Sequence, residues 1–136
     1  NDLGVLLTRS PERAEEGLAV LRESIAELRR LIELDPAVVE PRGNLATSLI
    51  NVGNALREQK HCAEARAYFT EARELARIIR DEVPTQPQWG EVLFSATWFL
   101  SLVHGDLGDH AAQAEAAEEL SALRPADPRT QRIASG

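Results

Sequence analysis

The side chains able to do acid–base, metal or nucleophilic work are few. Three histidines (His61, His104 and His110) and a single cysteine, Cys62, are the whole supply of near-neutral or thiol groups. His104 and His110 stand six apart across Gly105-Asp106-Leu107-Gly108-Asp109. Two ligands on one helix face need a spacing of three or four. Asp106 and Asp109 would complete a nitrogen/oxygen metal set on paper, but a polar turn with a capping aspartate accounts for the same residues more simply. His61-Cys62 sets a base beside a thiol. Neighbours at a helix start point their side chains apart, no nearby acid orients the histidine, and cysteine is commonly buried. Glu12-Glu15-Glu16 and Glu115-Glu118-Glu119 lie near helix starts, where carboxylates suit the positive end of the dipole, and read as solvated faces. No glycine-rich phosphate loop and no Ser/His/Asp set is present. The expectation is a chain with no catalytic centre, no metal and no cofactor.

What such a chain can do is bounded by its composition. At 136 residues and 15.0 kDa it is one domain's worth of sequence. Its 22 acidic and 15 basic residues give −7, and Lys60 is its only lysine. Without a Lys/Arg block it makes a poor nucleic-acid binder, since phosphate contacts supply most of that affinity. One cysteine excludes an internal disulfide and a cysteine-cage zinc site. No apolar run approaches the ~20 residues that cross a bilayer, and no signal peptide opens the chain. The expected setting is cytoplasmic, with neither membrane nor nucleic acid as partner. With no initiating Met and an apolar pattern already running at Asn1-Asp2-Leu3-Gly4-Val5-Leu6-Leu7, the chain is expected to be a piece of a longer protein.

The elements that position these residues read as helices. Aromatics stand at 4% and no stretch alternates with a period of two, which argues against strands. Leu45, Leu49, Val52 and Leu56 mark an apolar helical stripe over about 41–59. Gln59-Lys60-His61 is a polar turn, and Ala65, Tyr68-Phe69, Ala72, Leu75-Ala76 and Ile79 continue the period to about Val83. Pro84 and Pro87 bound the next connection. A third stripe runs through Val92, Ser95-Ala96, Phe99 and Leu102-Val103, followed by a turn over Gly105–Asp109 and a helix capped by Asp109 and reaching Leu123. Before them Ser10-Pro11, a cap followed by proline, opens a helix to about Leu34, and residues 1–8 read as the stump of that unit's first helix.

These pieces repeat. Pro36 and Pro84 stand 48 positions apart, and at that offset Leu45 falls on Leu93, Ile50 on Trp98, Val52 on Leu100 and Leu21 on Phe69. Ala65 and Ala72, with Gly53 on the partner helix, place small side chains where two helices must approach closely. A closed bundle has no reason to repeat, so the offset favours an open stack of hairpins over a plain antiparallel bundle.

The phrase Gly53-(2)-Leu56-(8)-Ala65-(3)-Phe69-(2)-Ala72 resembles the tetratricopeptide repeat, with Leu56 where the family has Tyr and the closing proline delayed to Pro84. The third unit departs further, with Ser101 for the Gly and His104 for the Tyr. The long units, Asn44-Leu45-Ala46 and Val52-Gly53-Asn54-Ala55-Leu56, and the preference for Arg are similar to the tandem repeats that follow the kinase domain in serine/threonine protein kinases of planctomycete-type bacteria. No kinase motif lies in the chain itself. The resemblance implies an all-α, right-handed superhelical stack of antiparallel hairpins. It would hold about two and a half repeats of 48 residues in one domain over 1–136. The units would be about 1–36, 37–84 and 85–125, with 126–136 a tail or the start of a further helix.

In the family, first helices line a groove that receives a partner. Carried over, the resemblance assigns Thr47, Ile50, Asn51, Asn54 and Arg57 in the second unit, and Ser95, Trp98, Phe99 and Leu102 in the third. Asparagine amides can hold an extended peptide backbone, or simply face solvent or bond locally. Trp98 can anchor a ligand side chain or pack against the preceding hairpin. Arg57 alone is no carboxylate clamp, which disfavours acidic C-terminal tails. The expected function is a non-catalytic protein or peptide docking module of a larger bacterial protein. The alternative is a structural spacer or a homodimerisation surface.

Overall fold

The computed structural model describes residues 11–123, and among these every regular element is an α-helix. The expected stump at 1–8, the Ser10 cap and the tail at 126–136 lie outside the described residues. Five helices follow in chain order: α1 (Pro11–Leu34), α2 (Val39–Glu58), α3 (Cys62–Glu82), α4 (Gln88–Asp106) and α5 (His110–Leu123). Each packs against its neighbours in the chain, and α2 also packs against α4. None of the described helices is long and apolar enough to cross a membrane.

The 48-residue offset governs the backbone as well as the sequence. α1 and α3 end at Leu34 and Glu82, α2 and α4 end at Glu58 and Asp106, and α3 and α5 begin at Cys62 and His110. The turn after α2 closes with His61 N–H donating to Leu56 O at 2.8 Å and Lys60 N–H to Arg57 O at 3.0 Å. The turn after α4 closes with Asp109 N–H to His104 O at 2.9 Å and Gly108 N–H to Gly105 O at 3.1 Å. Both are Schellman closures, in which the residue past the cap takes a left-handed conformation and the last carbonyls are satisfied. Gly108 does so at φ 77 and Lys60 at φ 68, so a lysine occupies a position that suits glycine. Asp109 accepts from Ala112 N–H at 3.1 Å and caps α5.

Two boundaries differ from the sequence reading. α2 begins at Val39, two residues ahead of Pro41, because a proline in the first turn removes no amide that the helix would use. α4 runs on through Gly105 to Asp106, because the left-handed residue that stops it is Gly108.

The core is one apolar cluster spanning α1 to α4: Leu18 and Ile25, then Leu45, Leu49, Val52 and Leu56, then Ala65, Phe69 and Ala72, then Ala96, Leu100 and Val103. Phe69 is its largest fully buried side chain. Its ring lies where a Cβ on Gly53 of α2 would stand, and stacks on Phe99 of α4 with centroids 5.6 Å apart. One aromatic therefore joins three helices, and Gly53 is small because that ring needs the space.

Candidate functional site

The first helices of the two hairpins, α2 and α4, carry the residues assigned to a groove. Thr47 is exposed, its hydroxyl donating to Gly43 O at 3.2 Å. Asn51 is exposed and Asn54 half-buried, and neither side-chain amide bonds another described residue. Ser95 and Leu102, at the positions of Thr47 and Asn54 one unit on, are half-buried. Phe99 is held by its stacking on Phe69.

Ile50 departs from the groove assignment. It is buried at 8% exposure within the core cluster. Gly43 of α2 lies against the ring of Trp89 in α4, and Ile50 sits two turns further along that same side of α2. This side meets the next first helix. Trp98 takes the same position one unit later, where no described helix follows, and is 48% exposed beside Phe94, Leu120 and Ser121. Arg57 is also engaged: its Nε donates to Asp106 Oδ2 at 2.6 Å and so ties the end of α2 to the end of α4. The thiol of Cys62 lies 4.0 Å from the same oxygen.

The groups with potential chemistry stay apart. His61 is exposed, while Cys62 is half-buried against the core. His110 Nδ1 meets Gln113 Oε1 at 3.5 Å, Asp109 caps α5, and Asp106 serves Arg57. Among the described residues no three of His, Cys, Asp and Glu gather closely enough to hold a metal ion.

No protein-family model, curated protein or solved structure matches this chain. Its functional reading therefore rests on its own side chains and on the internal repeat.

Charged residues that look merely solvated in sequence turn out to tie second helices together. Arg29 of α1 grips Glu71 of α3 through two bonds, at 2.8 and 3.1 Å. That hydrogen bond, more than any other influence, holds the Arg29 guanidinium above its ordinary value. Arg77 of α3 reaches Glu119 of α5 at 2.5 Å, with Arg73 joining at 3.3 Å. Arg29 and Glu71 fall on Arg77 and Glu119 at the 48-residue offset, so the same strut recurs from one unit to the next. The Arg29–Glu71 pair is nearly half exposed, so it contributes little free energy. The signal was present in sequence as an Arg and a Glu that each return after 48 positions.

His104 is half-buried, unlike the exposed His61 and His110. Its Nδ1 is buried without a hydrogen-bond partner among the described residues. Burial lowers its pKa below 6.5; Asp109 and Glu115 oppose the shift, while Arg66 and Arg73 reinforce it. A folded pKa below the unfolded value means that the unfolded chain binds the proton more tightly. The contribution to stability is whole above pH 6.5 and is lost as pH falls below it through the lowered folded value. Leu56 occupies the equivalent place in the preceding hairpin at 2% exposure. His104→Leu is therefore expected to raise the melting temperature, with the gap from the wild-type chain widening between pH 7.5 and 5. A gap that stays constant with pH would show that His104 does not carry the acid sensitivity.

Proposed function

We propose that the chain is a non-catalytic protein-interaction module. In this reading the hairpins form a right-handed, tetratricopeptide-like superhelical stack, and the first helices α2 and α4 line a groove for an extended peptide of a partner protein. Among the described residues the main helix contacts are between successive helices and between α2 and α4, which supports the stack, since a closed bundle would bring its first and last helices together. The observation that carries the docking role is the pair of asparagines. Asn51 and Asn54 present amides that bond no other described residue, three positions apart on one helix. An amide offers both a donor and an acceptor, the set that a peptide backbone needs. Thr47, Ser95 and Leu102 extend the same surface. The similarity to kinase-associated repeats fits a docking part of a larger bacterial signalling protein whose catalysis lies elsewhere.

The test is a selection of extended peptides on the chain, followed by titration. Asn51→Ala/Asn54→Ala is expected to weaken the selected peptides by about fivefold or more, two neutral hydrogen bonds at ~0.5–1.5 kcal/mol each. The melting temperature should not change, because neither amide supports the fold. Equal affinity in both chains would remove the groove from the reading. The second reading, a spacer or self-association surface, is favoured by the exposed Trp98 face and by the recurring Arg–Glu struts.

A further inference from the structure

The seat that α2 and α3 offer to α4 shows what a helix needs in order to dock on this stack. Two contacts fix the frame. Trp89 covers Gly43 of α2, and ten positions later Phe99 stacks on Phe69 of α3. Ala46 and Ile50, on the same side of α2 as Gly43, and Ala72, one turn from Phe69, are buried. One unit on, α4 and α5 build the same seat. Glu91, Phe94 and Trp98 follow Gly43, Ala46 and Ile50, while Ala117 and Leu120 follow Phe69 and Ala72. Among the described residues no helix lies on it. Phe94, Trp98 and Leu120 border a shallow cleft, and both Trp98 and Ala117 are exposed. Large apolar side chains gathered in this way on a surface mark an interaction face.

The relief of the open seat is inverted. On the filled seat the second helix supplies the bulk, Phe69, and the first helix the hollow at Gly43. On the open one the first helix supplies the bulk, Phe94 and Trp98, and the hollow falls at Ala117. A helix lying here as α4 lies on α2 and α3 therefore needs small residues over Phe94 and Trp98 and a large one over Ala117. Charge adds a second condition. Glu91 stands where Gly43 receives the ring of Trp89, so the open seat presents a carboxylate at that place. Glu118 lies one turn from Ser121 at the edge of the cleft. Both carboxylates are exposed, and neither forms an ion pair with another described residue. No Lys or Arg stands between Arg80 and Arg124, so α4 and α5 contain no basic side chain other than their histidines. Two copies set seat to seat would bring these carboxylates together, and like charges across an interface cost affinity. A basic helix gains from the same groups.

We propose that this seat docks an α-helix of a partner protein, apolar along one side and basic along its flanks. A Lys or Arg of that helix meets Glu91, and ten positions further on a large aliphatic side chain fills the hollow at Ala117. Recognition is of the helix-in-groove kind, with apolar anchors giving affinity and the carboxylates giving direction and partner choice. The seat uses none of the asparagine face of α2, so the proposal stands whether or not that face binds a peptide.

The experiment titrates a synthetic helical peptide of about eighteen residues into the whole 136-residue chain. The peptide has a lysine and, ten positions on, a leucine, with alanines on the side between them and lysines along both flanks. A second peptide has glutamate for every lysine. The readout is the indole N–H resonance of Trp98, with that of Trp89, held by Gln86 Oε1 at 2.8 Å, as the internal reference. The lysine peptide is expected to shift Trp98 saturably and leave Trp89 in place, and to bind about tenfold or more tightly than the glutamate peptide. Trp98→Ala should weaken it about tenfold or more. Glu91→Lys/Glu118→Lys, two exposed changes, should reverse the preference between the peptides, whereas Asn51→Ala/Asn54→Ala should leave it unaltered. Equal affinity for the two peptides would overturn the proposal, as would a Trp98 resonance that stays in place at about 1 mM lysine peptide. A concentration-dependent dimer lost on Trp98→Glu would give the seat to a second copy instead. A Trp98 indole N–H protected from solvent exchange in the free chain would give it to residues of this chain after Leu123.

Discussion

Phe69→Ala is expected to destabilise the protein by about 3–5 kcal/mol, the cost of truncating a buried aromatic and leaving a cavity. Phe69 has no solvent exposure and is the largest such side chain in the core. Its ring meets Gly53 of α2 on one side and stacks on Phe99 of α4 at an interplanar angle of 17° on the other. Removing it therefore loosens both the contact within the second hairpin and the contact to the third. Domains of this size hold only about 5–15 kcal/mol in total, so the loss approaches half of the whole. The melting temperature should fall by roughly 10–20 °C. Helix content followed by circular dichroism against temperature checks it. Tyr68→Ala, one position along and only half-buried, should cost clearly less. A Phe69→Ala chain melting within a few degrees of the wild type would mean that the three helices are not joined through this ring.

The repeat was the most legible feature of the sequence, because the physics that fixes it is local. A helix ends where a left-handed residue and a connection intervene, and those places return after 48 positions as Lys60 and Gly108 and as Pro36 and Pro84. The apolar stripe likewise identified Leu45, Leu49, Val52 and Phe69 as core, since period 3.6 is visible in one dimension. Which edge of the stripe meets the next unit is not visible in that way. Ile50 and Asn54 are neighbours on one helix, yet α4 packs along the side of α2 that carries Ile50, while the amide of Asn54 bonds no other described residue. The offset also has exceptions. Leu49 returns as Thr97, buried with its hydroxyl donating to Leu93 O at 2.8 Å, and Leu56 returns as His104 with a buried ring nitrogen. Each is a polar residue where the preceding unit has a buried leucine, and the burial of its polar atoms depends on packing that a spacing pattern does not record. Arg57 shows the same limit from the surface: as a first-helix residue it reads as groove, and only the approach of Asp106 from α4 makes it a strut.

Gly53→Leu carries the second large effect, with a sign that sequence propensity alone would reverse. In the middle of a helix glycine is worse than leucine by up to about 1 kcal/mol, so the substitution should help if nothing stood in the way. A Cβ at position 53 would stand 2.6 Å from Cε1 and 2.8 Å from Cδ1 of Phe69, closer than carbon atoms tolerate. The ring has nowhere to retreat, since it is fully buried and stacked on Phe99. Overpacking of this kind costs ~1–3 kcal/mol, and α2 and α3 must separate to relieve it. Gly90 gives the opposite result, because a Cβ there meets nothing within 4 Å. Gly90→Ala is expected to be neutral or stabilising by up to about 1 kcal/mol. Gly53 lies buried in the middle of α2 and Gly90 half-buried in the first turn of α4, and what lies opposite each decides the sign. Pairing Gly53→Ala with Phe69→Leu isolates the contact: the smaller side chain at 69 makes room for the new methyl, so the double change should cost about 0.5–3 kcal/mol less than the two single costs together. Strict additivity in urea melts would show that position 53 does not face Phe69, and with it the hairpin pairing of α2 and α3 would fall.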